Sequence, residues 1–366
     1  MKAERRKQHV DKEWYSLRSM LGYSWAYYLF LIGGRERGKS YAVTDLFCSQ
    51  FVKIGRPFYW LRLTEASAKK LLANNAEKLI DPDIRRKLGI DIEVKGDGVF
   101  ASYYEMVDSG RKRKDGTVIM KKQAVRKLMA RVLALSTFYN DKGSGLFDKD
   151  FLNDPNMYYN ICLDEMNREK NEKKSFDIVY AFSNQIENLV RSTKTRLRII
   201  CIGNTLEEAS DILCALEFLP EEFGRYKLKK KKAVIDYIDN GEKYLVRRAD
   251  TPAAILSGTS STFTNKVETD TSLVTKKRLS KPDMVIAFEK DKSKWFTVWD
   301  GNILARYNGE RCKQVVPMRP YIDLTYSREF RDQLIELYDT RCYLFHNLIT
   351  QKMFKKELEL LKPRKG

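Results

Sequence analysis

Histidine is almost missing from this chain: His9 and His346 are the only two among 366 residues. Cysteine is sparse and scattered, at Cys48, Cys162, Cys201, Cys214, Cys312 and Cys342, with no CxxC pair. Together these shortages leave no His or Cys cluster from which a metal site could be built. Isolated cysteines in or beside apolar runs suit small buried side chains in a reducing compartment. Long hydrophobic stretches are absent too. The run YSWAYYLFLIGG, residues 23–34, is far shorter than the roughly 20 residues that span a bilayer, and the opening MKAERRKQHVDKEW carries no apolar leader. The expectation is a soluble, intracellular protein with no membrane partner.

Acidic residues are in deficit. Asp and Glu number 49 against 68 Lys and Arg, a formal net charge of +19. Such an excess favours a polyanionic partner, nucleic acid first, although charge alone also fits a merely basic protein. Apolar residues at 43% suffice for buried cores, and the length suggests two domains.

Residues 27–32 (YYLFLI) read as a buried strand halted by Gly33 and Gly34. From Ser40, the side chains Ala42, Val43, Leu46, Phe47, Phe51 and Val52 share one helical face that ends near Gly55. A second strand at 56–63 (RPFYWLRL) and a basic helix at 66–79 complete a βαβα start. Residues 92–107 are rich in strand formers, and SGRKRKDG at 109–116 reads as the cationic tip of a hairpin before TVIM at 117–120. Short apolar runs at 131–136, 159–163 and 197–202 fit core strands of a mostly parallel sheet. The expected organisation is an α/β domain over 1–206, a cationic linker over 207–235 containing YKLKKKK, and a smaller α+β domain over 236–366.

The segment GGRERGKS, Gly33 to Ser40, matches GxxxxGK[ST] between a strand and a helix. In that context the backbone N–H groups of Gly33, Gly34, Arg35, Glu36, Arg37 and Gly38, with Tyr41 just beyond, form a phosphate cradle. Lys39 would reach the β- and γ-phosphates of ATP and Ser40 would ligate Mg²⁺. Residues 160–165 (NICLDE) end an apolar strand in two carboxylates: Asp164 suits the Mg²⁺ shell and Glu165 the attacking water. Asn204, after the strand at 198–202, is either a γ-phosphate sensor or a turn residue. An arginine that completes the site comes from Arg191 or Arg196, acting on a neighbouring subunit, or from Arg35 in cis; Arg191 is preferred. Lys69, Lys70, Arg111, Lys112, Arg113 and Lys114 are candidates for gripping DNA phosphates, with a solvated charge run as the alternative.

Three segments, FLIGGRERGKSYA (30–42), LDEMNREK (163–170) and RLRIICIGN (196–204), resemble the DNA-packaging ATPases of phi29-type tailed phages, additional-strand P-loop ATPases related to the terminases. The resemblance implies a homomeric ring, a pentamer, that docks at a procapsid portal in the host cytoplasm and drives double-stranded DNA inward by hydrolysing ATP. It leaves open a structural packaging RNA between motor and portal. It also implies a C-terminal domain that is RNase H-like without nuclease activity; of the acids Asp250, Asp300 and Asp323, Asp300 precedes Gly301 in a hairpin-like turn. The basic insertion at 111–127 is longer than in the type member. The motifs alone also fit a helicase or a plasmid-partition ATPase.

Overall fold

The computed structural model describes residues 4–6, 14–141, 158–167, 176–190, 196–204, 210–220, 222–239, 241–249, 251–257, 271–320, 322 and 326–361. They divide into two compact units, Met1–Glu207 with Pro220–Val267, and Glu208–Leu219 with Glu268–Gly366.

The first unit is built on ten strands: β1 (Glu4–Arg6), β2 (Tyr28–Ile32), β3 (Phe58–Arg62), β4 (Asp91–Lys95), β5 (Gly98–Lys112), β6 (Val118–Ala134), β7 (Tyr158–Asp164), β8 (Arg196–Gly203), β9 (Gly224–Leu228) and β10 (Ala233–Tyr237). Their order is β1-β9-β10-β2-β8-β7-β3-β6-β5-β4. From β10 to β6 all neighbours are parallel, while β9 and β1 extend one edge and β5 and β4 the other in antiparallel fashion. Central parallel strands bury both faces, which is why β2, β3, β7 and β8 appear in the sequence as largely apolar runs. Among the helices, α1 (Arg18–Leu21) precedes β2, and α2 (Lys39–Ile54) follows it and buries Val43, Phe47 and Phe51 at i, i+4 and i+8. Gly55, left-handed at φ 65°, ends α2 by donating its N–H to the Phe51 carbonyl. Then come α3 (Glu65–Ala76), capped by Thr64, α4 (Pro82–Leu88), α5 (Ile178–Val190) and, after β10, α7 (Gly241–Ala249) and α8 (Pro252–Ser257).

Two features depart from the reading of the sequence. The runs at 117–120 and 131–136 are not separate strands: β6 is a single strand of 17 residues paired with β5. Its first ten residues, 118–127, are solvated on both faces, so no apolar alternation marks them. The first domain also does not stop at 206. The segment expected to be a linker contains β9, and β10 pairs in parallel with β2 from Ala233↔Tyr28 to Tyr237↔Ile32. Asp236 disguised β10, because a carboxylate inside an apolar strand argues against burial. Here it is fully buried, accepts a hydrogen bond from Tyr15 Oη at 2.8 Å and pairs with Arg225 at 2.9 Å. The Lys229–Lys231 run is the turn between β9 and β10.

The second unit contains α6 (Asp211–Ala215), β11 (Pro282–Ala287), β12 (Trp295–Trp299), β13 (Ile303–Arg306), β14 (Gln314–Pro317), α9 (Arg328–Asp339), β15 (Leu344–Phe345) and α10 (Leu348–Glu359). Its sheet runs β14-β11-β12-β13-β15, an antiparallel meander of β11, β12 and β13 flanked by β14, parallel to β11, and β15, parallel to β13. The rings of Phe288, Phe296, Phe345 and Phe354 meet at centroid separations of 5.2–5.8 Å and centre its core. Asp300 lies in the β12–β13 turn at φ 50°, where its carboxylate accepts hydrogen bonds from Ser280 and from the Lys281 N–H. Asp250 and Asp323 lie outside the described residues. No described helix is long and apolar enough to cross a membrane.

Candidate nucleotide site

The C-terminal ends of β2, β7 and β8 lie side by side because the three strands are parallel neighbours in register. That alignment brings 33–41, 164–165 and 204 together from three distant parts of the chain. Arg35, Glu36, Arg37, Gly38, Lys39, Ser40, Tyr41, Asp164, Glu165 and Asn204 line one cavity of about 360 Å³. Gly38 is left-handed at φ 77° where the loop turns into α2. Gly33 is demanded by packing: a Cβ there would fall 2.9 Å from Ile238 Cβ, just beyond β10.

Lys39 is buried, and its Nζ donates to the carbonyls of Gly33 at 2.9 Å and Gly34 at 2.7 Å. Burial pushes its ammonium down to about 8, against the pull of the Asp164 carboxylate. Phosphate binding requires the charged form. Nucleotide affinity is therefore expected to be flat below about pH 7 and to fall as pH rises above about pH 8, where binding must also take up a proton. Calorimetric titration in buffers of different ionisation enthalpy checks this; binding without proton uptake on the alkaline side would count against it.

Ser40 Oγ donates to Asp164 Oδ1 at 3.3 Å. A hydroxyl beside a carboxylate at the cavity wall is a hard, all-oxygen donor set that fits Mg²⁺, whose other positions phosphate and water normally fill. Among the described residues no group of three or more His, Cys, Asp or Glu could hold a metal by itself. Glu165 follows in the left-handed region at φ 55°, an uncommon conformation for a residue with a side chain, and its carboxylate is more than half exposed.

One site residue escaped the sequence. Arg62, the last residue of β3, is buried and donates to Asp164 Oδ2 at 2.8 Å and, through its other terminal nitrogen, to the Glu165 carboxylate. A lone arginine at the end of the apolar run FYWLR was the available signal. Its meaning depends on the pairing of β3 with β7, which sets Leu61 opposite Leu163.

Of the other expected residues, Arg35, Arg37 and Tyr41 line the cavity, and the rest of those described lie away from it. Arg37 is buried; it donates to the Asp239 carbonyl at 3.3 Å and lies over the Tyr244 ring at 5.5 Å. Arg35 and Tyr41 are exposed on the cavity wall. Arg196 is exposed at the start of β8, the far end of the strand from Asn204, roughly 26 Å away at the usual rise per residue, and out of reach of its own site. Arg191 lies outside the described residues. Lys69 and Lys70 are exposed on α3, with Lys69 paired to Glu65 at 2.7 Å. Arg111, Lys112, Arg113 and Lys114 are exposed at the end of the β5–β6 ribbon.

No protein-family model matches the chain, and no curated protein matches it in sequence. Solved structures do. The Phi-28 gp11 DNA packaging motor matches with a TM-score of 0.60 at 13% identity, over 95% of this chain and 97% of that one. The bacteriophage Phi-29 viral genome packaging motor assembly matches with a TM-score of 0.62 at 18% identity, over 96% of this chain and 100% of that one. At these identities the likeness is one of architecture: along nearly its whole length, this chain has the fold of the phage DNA-packaging motors.

Proposed function

We propose that this protein is an ATP-driven motor that moves double-stranded DNA into a phage procapsid, working as a homomeric ring, a pentamer, docked at the portal. The observation that carries the reading is the convergence of Lys39, Ser40, Asp164 and Glu165 on one cavity, within a fold shared end to end with two packaging motors. Lys39 would place its charge on the β- and γ-phosphates, and Ser40 and Asp164 would hold Mg²⁺. When bound, the metal neutralises charge that develops on the phosphate oxygens. Glu165 would orient and deprotonate water, Asn204 would sense the γ-phosphate, and Arg191 or Arg196 would complete a neighbour's site. The exposed cations 111–114 and Lys70 would hold DNA phosphates without reading sequence. We assign no nuclease activity to the second unit: the Asp300 carboxylate is taken up by the Ser280 hydroxyl and the Lys281 N–H ahead of β11.

The test is ATP hydrolysis by the full chain alone and with linear duplex DNA, single-stranded DNA or purified procapsids. Stimulation by duplex and procapsids together is the expected result. Preferential stimulation by single strands would point to a helicase instead, and no turnover under any condition would end the ATPase reading.

A further inference from the structure

The loop between Gly34 and Gly38 contains three charged residues where a phosphate cradle needs bare backbone. Glu36 is left-handed at φ 59°, a conformation that side-chain-bearing residues seldom adopt. What holds it there comes from outside the loop. Tyr244 Oη donates to the Arg35 carbonyl at 2.7 Å, and Arg247 donates to the Glu36 carbonyl at 2.8 Å. The Tyr15 N–H donates to the Arg37 carbonyl at 2.9 Å. Arg248 adds a second hold on Glu36, 3.8 Å from its carboxylate, and donates to Tyr244 Oη at 2.7 Å. None of these four residues lines the cavity, whereas Arg35, Glu36, Arg37 and Gly38 all do.

In a trans peptide the C=O and the following N–H point in opposite directions. No cis peptide occurs among the described residues. Three consecutive carbonyls gripped from outside therefore turn the N–H groups of Glu36, Arg37 and Gly38 towards the other side, where an anion can collect them.

We propose that α7 is a positioning element for the phosphate loop: Tyr244 and Arg247 hold residues 35 and 36 in the carbonyl-out, left-handed geometry that binds nucleotide phosphates. The inference rests on the ATP-binding reading and names two residues that act through the loop and do not touch the nucleotide. It has a specific genetic signature. Glycine adopts positive φ without a steric cost, so Glu36→Gly should make the loop independent of the grip that Arg247 supplies.

The experiment is calorimetric titration of the full chain with Mg-ATP and, separately, with inorganic tripolyphosphate. It compares wild type, Arg247→Ala, Tyr244→Phe, Glu36→Gly and the Arg247→Ala/Glu36→Gly double variant. Arg247→Ala and Tyr244→Phe should each weaken both ligands by about fivefold to tenfold, the scale of one hydrogen bond. The double variant should bind within about twofold of Glu36→Gly alone. Unchanged affinity in both single α7 variants overturns the proposal, as does a loss in Arg247→Ala that Glu36→Gly fails to relieve. A loss confined to ATP, with tripolyphosphate unaffected, also overturns it, because Arg247 would then act on the base or sugar. If wild type binds neither ligand, the ATP-binding reading itself has failed; if wild type binds and all variants bind equally well, only the role of α7 has.

Discussion

Glu165→Gln is expected to cut steady-state ATP turnover by orders of magnitude while leaving nucleotide binding in place. The amide has the shape of the carboxylate and the same tolerance of the left-handed backbone at φ 55°, so the loop beyond β7 should keep its course. Its oxygen can still accept a hydrogen bond from Arg62, which in the native protein bridges to the Glu165 carboxylate. What disappears is the base that the proposed function assigns to Glu165. General base catalysis contributes about 10²–10⁴-fold, and the turnover rate should fall by that factor. Lys39, Ser40 and Asp164, which would hold the phosphates and the metal, are untouched. Single-turnover hydrolysis, together with the thermal shift produced by Mg-ATP, separates the two effects. A variant that hydrolyses at the native rate would show that another group activates the water, and one that loses its nucleotide-induced thermal shift would assign Glu165 to binding.

Arg62→Ala should produce the largest loss of stability among the site substitutions. The Arg62 and Asp164 side chains are only 10% and 9% exposed, and their contact is 2.8 Å. Removing the guanidinium strands the Asp164 carboxylate in a place where water cannot fully solvate it, and breaking such buried pairs costs about 3–5 kcal/mol. The partner carboxylate, Glu165, is too exposed to add much. For a unit of this size, the melting temperature should drop by roughly 6–20 °C. The diagnostic measurement is a double-mutant cycle. Asp164→Asn in the Arg62→Ala background removes the stranded charge and should recover much of the loss, a coupling of about 1–3 kcal/mol. Additive losses would mean that Arg62 supports the end of β3 by packing, with no role in balancing the carboxylates.

These two residues mark how much of the site could be seen in the sequence. Glu165 was visible because it follows Asp164 directly at the end of an apolar strand, downstream of a P-loop. Arg62 was not, since its partners lie 102 and 103 residues away and meet it only through the register of β3 on β7. Arg196, read in the sequence as a candidate for a neighbouring subunit's site, starts β8 at the strand end opposite Asn204, away from its own site.

The fold divides in a similar way. Helix α2 and strands β2, β3, β7 and β8 could be read directly, because central parallel strands and an amphipathic helix write their burial into local periodicity. Strand β10 was lost to the buried Asp236, whose charge is balanced by Arg225 from β9 and whose lone pairs are taken by that residue and by Tyr15. The solvated stretch of β6 was lost because a ribbon exposed on both faces has no hydrophobic alternation to show.

By itself, the amino-acid sequence determined the GxxxxGK[ST] loop, the acidic pair and the sheet that carries them, because the loop motif is a run of consecutive residues and a buried strand needs consecutive apolar side chains. Tertiary structure alone decided which cation balances Asp164 and Glu165, which helix grips Arg35 and Glu36, and where the first unit ends. Each of those depends on long-range pairing, and a charge buried far from its partner along the chain carries no local sign of what will neutralise it.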